Sequence, residues 1–222
     1  MNKKIKSSKG FTIIELIVVM AIFLLVIGAA IGIFLSIVKN QKKVLAEQQL
    51  LNQISYAEEH MSKALRMAKT EGTTENCLVD PFSADHSDHP GYIYLLTRYD
   101  NGIFRGVKFI NQSDNDACTE FFWDSATNQL KELKDSTNDS NATALTSANL
   151  QINSVKFSVN GSDGSAYSNI CHGNPSQDCG ASKDDSVQPR VTITLNVKVP
   201  NDSQEPNRII QTTVSQRNLT SK

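Results

Sequence analysis

The chain has 222 residues, room for one domain besides a long helix, and a formal net charge of −1 from 22 Lys+Arg against 23 Asp+Glu. A charge so balanced offers no electrostatic case for nucleic-acid binding. Mean hydropathy is −0.30 although the chain starts on an apolar run, so the remainder is markedly hydrophilic.

Lys3, Lys4, Lys6 and Lys9 come first, with no acidic residue among them. They precede FTIIELIVVMAIFLLVIGAAIGIFLSIV, residues 11–38. As a helix this run would be roughly 42 Å long at ~1.5 Å per residue, longer than the ~20 residues that a bilayer span needs. The lysines place the N-terminus on the cytoplasmic side. A secretory signal peptide has an apolar core of only about 7–15 residues and a small-residue cleavage site after it. Here the run is about twice that, and helix-favouring polar sequence follows. A plain anchor accounts for length and lysines but not for Glu15, an ionisable group inside the run. Such a group costs on the order of 2.5–3.5 kcal/mol in hydrocarbon and usually has a partner.

Lys9-Gly10-Phe11-Thr12-Ile13-Ile14-Glu15 and the apolar residues after it resemble the N-terminus of type IV pilins and type II secretion pseudopilins. The resemblance implies a leader, residues 1–10, removed by a prepilin peptidase between Gly10 and Phe11. It implies N-methylation of Phe11, and makes Glu15 the fifth residue of the mature chain. The expected partners are the peptidase/N-methyltransferase, an inner-membrane assembly platform and other pilin or pseudopilin subunits. The expected location is the inner membrane, single-pass, the N-terminus cytoplasmic and the head periplasmic or extracellular, then a filament. Cleavage frees a positive amine on Phe11, and a neighbouring subunit's amine is a natural counter-ion for Glu15 in a hydrophobic bundle. The competing reading leaves Glu15 idle near the headgroups.

Residues 39–71 contain neither Gly nor Pro and favour a helix. Val44, Leu51, Ile54, Met61, Leu65 and Ala68 recur at helical spacing and mark one apolar face, with Gly72 as the stop. The chain thus divides into a leader (1–10), a membrane or filament-core half-helix (11–38), an amphipathic half-helix (39–71) and a β-rich head (72–222). In pilins one helix of about this length runs from membrane to head. Gly28, Gly32 and Ser36 give small residues at the spacing that lets membrane helices approach closely. They could equally act as a helix break of the kind many pilins carry.

Beyond Gly72 the period becomes two. Candidate strands are 92–97, 103–110, 120–123, 150–159, 190–199 and 208–215, the clearest alternation being Val191, Ile193, Leu195, Val197 and Val199. The fold class is α+β, a long N-terminal helix packed on an antiparallel sheet. The stretches 134–149 and 160–189 read as long loops. LTSANLQINSVKFSVNG, QPRVTITLNVKV and TTVSQRNL resemble the ends of larger minor pilins and minor pseudopilins of the PilW and GspJ kind, and the chain without its leader is long for a major pilin.

Cys77, Cys118, Cys171 and Cys179 all follow the span. An even count there favours two disulfides, with three connectivities open. Cys171 and Cys179 would staple their own loop and leave Cys77 with Cys118; free thiols are the other reading. No CxxC or HxxxH spacing suggests zinc. His86 and His89, beside Asp85 and Asp88, could hold zinc or copper, but a solvated loop accounts for them better. Calcium, which some pseudopilins bind, would fit best near Asp163 or the Asp184-Asp185 pair, though no EF-hand template is met. Ordinary turn chemistry explains those residues, so no cofactor is expected. A nucleophile elbow is missing, and a disulfide would consume the thiol of the Cys171-His172 pair. The chain therefore reads as an enzyme's substrate rather than an enzyme, a minor pilin or pseudopilin. Its rivals are a filament-tip adhesin or DNA-uptake module binding through 160–189, and a membrane-tethered metalloenzyme using His86 and His89.

Overall fold

The computed structural model of the chain describes residues 10–72, 75–79, 92–148, 150–160, 180–182, 188–198 and 207–217. A single helix, α1 (Ile13–Arg66), is followed by strands. The chain forms two compact units, residues 1–48 and 49–222. The described part of the first unit is almost wholly α1. From Phe11 to Phe34 every side chain is exposed.

In the second unit the rest of α1 supplies Leu50, Ile54, Ala57, Met61, Ala64 and Leu65 to the core. The expected face holds at Ile54, Met61, Leu65 and Ala68. Leu51, however, is 49% exposed and Leu50 takes its place, a rotation of about 100° that apolar spacing alone leaves open. The helix also stops earlier than Gly72 suggests. Ala68–Lys69 (β1) leaves it to pair with Asn111 and Ile110, and Gln112 N donates to Met67 O at 3.0 Å. Helix propensity is a weak prior, and an available sheet partner overrides it.

The sheet is antiparallel throughout. Its strands are β2 (Tyr92–Asp100), β3 (Ile103–Asn111), β4 (Ala117–Asp124), β5 (Gln129–Lys134), β6 (Thr143–Ala144), β7 (Gln151–Asn160), β8 (Gly180–Ser182), β9 (Arg190–Lys198) and β10 (Arg208–Ser215). The main path runs β10-β9-β7-β3-β4-β5-β6, with β1 and β2 also on β3 and β8 on β2. β3 is the hub. Its residues 103–108 pair with β2 and 106–111 with β4, while Phe104 reaches Phe157 of β7. The β2–β3 hairpin closes on Asn101-Gly102 (φ 49° and 82°), the positive-φ pair that a tight hairpin turn requires.

All six expected strands are present. Val155, Phe157 and Val159 lie beside Leu195, Ile193 and Val191 in register, all buried. Val199 lies outside the described residues. β5 was not expected, and the stretch 134–149 holds the short β6 and a 3₁₀ turn at Asp139–Asn141. The core gathers Met61 and Leu65 with Tyr94, Phe109, Phe121, Phe122 and Phe157, all nearly inaccessible. The Tyr94 hydroxyl donates to Leu65 O at 2.7 Å, fixing helix against sheet.

Candidate processing and assembly site

The apolar run begins its helix with a local cap. Leu16 N donates to Thr12 O at 3.3 Å and Glu15 N to Thr12 Oγ1 at 3.4 Å. Thr12 and Glu15 thus hold the threonine and glutamate positions of a capping-box sequence, in which the cap hydroxyl accepts from an otherwise unsatisfied N–H. Glu15 sits in the first turn, where the helix dipole favours a carboxylate. This local role explains an acidic residue at a helix start but not one flanked by Ile14, Leu16, Ile17 and Val18.

Around it the surface is continuously apolar and uncovered. Phe11 is 80% exposed and Ile13 82%. One stretch of α1 is long and apolar enough to cross a membrane, and none of it is buried within the chain. Soluble monomers rarely expose more than a few hundred Å² of contiguous apolar surface. Such a helix needs lipid or other helices around it.

Gly10 is informative because the fold does not ask for it. A Cβ there would meet nothing within 4 Å, and its φ is not in the left-handed region. Gly28 and Gly32 are equally unconstrained within the chain.

Of the predicted cysteines, Cys77 and Cys118 form a disulfide with Cα atoms 5.5 Å apart and a sequence separation of 41. Glu71, buried beside it, accepts from Cys77 N and Leu78 N, each at 2.7 Å, a charge-assisted anchor for the segment that carries Cys77. Cys171, Cys179, His86, His89, Asp163, Asp184 and Asp185 lie outside the described residues. Among the described residues no group of His, Cys, Asp and Glu is placed to hold a metal.

One cluster in the head escapes sequence reading. Arg98 has φ 56°, uncommon for a long side chain. Its guanidinium lies 3.7 Å from the centroid of Phe122. It donates to Glu120 at 2.9 and 3.2 Å and to Asp139 at 2.7 and 2.6 Å. The Asp139 bonds, with those of Glu120, raise the Arg98 pKa, and Arg98 in turn holds Asp139 below the usual carboxylate range. Thr97 Oγ1 donates to the same Glu120 at 2.7 Å. The signal available in the sequence is Gly106, an isolated strand glycine that marks a close approach. A Cβ there would overlap Thr97 Oγ1 and sit 3.0 Å from Arg98 Cγ and 3.2 Å from Glu120 Oε1.

A family model, the prokaryotic N-terminal methylation motif, matches residues 5–31. The match takes in Gly10, Phe11, Thr12, Glu15 and Gly28, and stops well before the head. No curated protein and no solved structure matches the chain. The N-terminus is therefore of the prepilin type, on a chain with the pilin-like arrangement of an apolar helix followed by an antiparallel sheet.

Proposed function

We propose that this pilin-like chain is a minor pilin or pseudopilin, cut between Gly10 and Phe11 and built into, or used to prime, a type IV pilus or type II secretion pseudopilus. The observation that carries this is the N-terminal methylation motif over residues 5–31, set at the start of an exposed apolar helix that the fold does not cover. Removal of the leader leaves a cationic amine on Phe11, the residue then methylated. Glu15 takes that amine from an adjoining subunit, so that two desolvation penalties are relieved together and axial register is fixed. The half-helix 11–38 sits in the inner membrane before assembly and in the filament core after it. The half-helix 39–71 serves the head, whose disulfide suits an oxidising compartment outside the cytoplasm.

The test is electrophoretic mobility of the chain expressed with and without a prepilin peptidase, followed by mass spectrometry of the product. The expected product begins at a methylated Phe11. Gly10→Glu keeps its leader, and Phe11→Ala still inserts into the membrane. An unchanged mobility, or a product that retains residues 1–10 where the peptidase is active, ends the proposal.

A further inference from the structure

The second unit has a cleft of about 920 Å³ lined by Glu59, Ser62, Lys63, Arg66, Ser113 and Arg217, among others. Three segments far apart in sequence build it: the last turns of α1, the turn after β3 and the end of β10. Two backbone bonds and one side-chain bond lock their junction. Arg217 N donates to Arg66 O at 2.8 Å, Gln112 N to Met67 O at 3.0 Å and the buried Gln216 Nε2 to Ala68 O at 2.8 Å. The cations on its walls are therefore displayed from a fixed frame rather than from loose loops.

Elsewhere in this unit several basic groups are matched among the described residues. Lys69 pairs with Glu75 and Asp116, Arg98 with Glu120 and Asp139, Arg105 with Asp100, Lys131 with Asp124 and Lys134 with Asp114. Lys108, Lys156, Arg190 and Lys198, which have no such pair among the described residues, are spread over β3, β7 and β9. Lys63, Arg66 and Arg217 instead converge on one cleft, without a carboxylate within ion-pair distance among the described residues. The helix C-terminus accounts for Lys63 and Arg66 in the last turn. It does not account for Arg217, brought there from the other end of the chain, so that the cleft carries three cations against the single carboxylate of Glu59.

We propose that this cleft is a docking site for an acidic segment of another protein chain, two or three Asp or Glu side chains received by Lys63, Arg66 and Arg217 with Ser62, Ser113 and Ser215 completing the hydrogen bonds. Arginine's planar fork matches a carboxylate with two parallel bonds. The footprint is too small for nucleic acid, whose binders neutralise about 6–10 phosphates, and the net charge of −1 would oppose it. Among the described residues, Asp100, Asp114, Asp116, Asp124 and Asp139 of a second copy already hold cations of their own. The partner is a different protein. That it is a neighbouring filament subunit rests on the proposed function, but the cleft's affinity for acidic peptide does not, so either can fail alone.

The test uses the full chain in neutral detergent and a fluorescent oligoglutamate peptide, read by anisotropy at low and physiological salt. The expected result is salt-sensitive binding that weakens at least ~tenfold in Lys63→Gln/Arg66→Gln/Arg217→Gln, as loss of charge-assisted bonds implies. Lys156→Gln/Lys198→Gln, a comparable loss of charge elsewhere, should leave it unchanged. Circular dichroism checks that each variant is folded, and Arg217→Gln alone, expected to weaken binding several-fold, serves if the triple variant is not. Equal binding by parent and cleft variants, or equal loss in the control pair, overturns the proposal. So does a DNA oligomer of matched charge that binds the parent more tightly than the peptide and loses that binding in the cleft variants.

Discussion

Adding one methyl group at Gly106 should destabilise the head more than any other alanine substitution at a described glycine. Gly106 faces Thr97 on β2 and Phe122 on β4, so neither flanking strand can retreat without breaking pairs. Its new Cβ would occupy the place of Thr97 Oγ1 and press on Arg98 and Glu120. Thr97 can turn its hydroxyl away, but that strips a donor from Glu120, a carboxylate only 8% exposed. Losing a bond to a buried charged group costs about 1.5–3 kcal/mol, and overpacking adds about 1–3 kcal/mol. The sum, about 2.5–6 kcal/mol, is a large share of the ~5–15 kcal/mol by which domains are stable. Trp123, the chain's single tryptophan, is buried beside Phe122, so its fluorescence through a urea titration reads the head alone. Thr97→Ala in the Gly106→Ala background removes the overlapping atom. The double variant should then be less destabilised than the two single losses added, a positive coupling in the sense of a double-mutant cycle. A Gly106→Ala midpoint within about 0.5 kcal/mol of the parent, the usual range for surface changes, or strict additivity in the double variant, would refute the packing argument.

Cys118→Ala should lower head stability by up to about 4 kcal/mol, the chain-entropy value for a loop of this length, and the same titration measures it; a loss under ~1 kcal/mol would mean that Glu71 alone holds the segment. Asp124 is held down to about 2 by the Lys131 ammonium and by hydrogen bonds from Thr127 and Ala126. Its stabilisation is present above the ordinary aspartate value and lost as pH falls through about 2. Asp124→Asn should lower the melting temperature at neutral pH and flatten the acid limb between about pH 4 and 2. Burial pushes Glu58 up, against a hydrogen bond from Thr212, so its contribution is favourable at low pH and is lost as pH rises through the raised value. Glu58→Gln should therefore melt higher than the parent at neutral pH, the gap closing toward about pH 4; a gap independent of pH would refute this assignment.

The elements that are legible in the sequence are those with one buried face and a clean period. RVTITLNVK alternates because Val191, Ile193, Leu195 and Val197 all point to the core. QLKELK does not, since Glu132 is buried there, partnered by His60 Nε2 at 3.2 Å across the helix–sheet interface and by Lys134 Nζ at 3.6 Å. No local rule foresees the His60 partner. The end of α1 fails for a similar reason, the competing strand partner Asn111 being supplied from 43 residues away. At the N-terminus, by contrast, the methylation motif of residues 5–31 is readable at once, because all its residues are neighbours in sequence.

By itself, then, the sequence determined the prepilin-type start, the apolar helix and the antiparallel character of the head, for each follows from spacing within a short stretch. The Cys77–Cys118 bond is the pairing the cysteine spacing favoured among open alternatives, whereas only tertiary structure decided that Arg98 bridges Glu120 and Asp139 and that Lys63, Arg66 and Arg217 crowd one cleft. Those juxtapositions depend on strand order and register, which bring together side chains separated by dozens of residues, and chain-local periodicity carries no record of them.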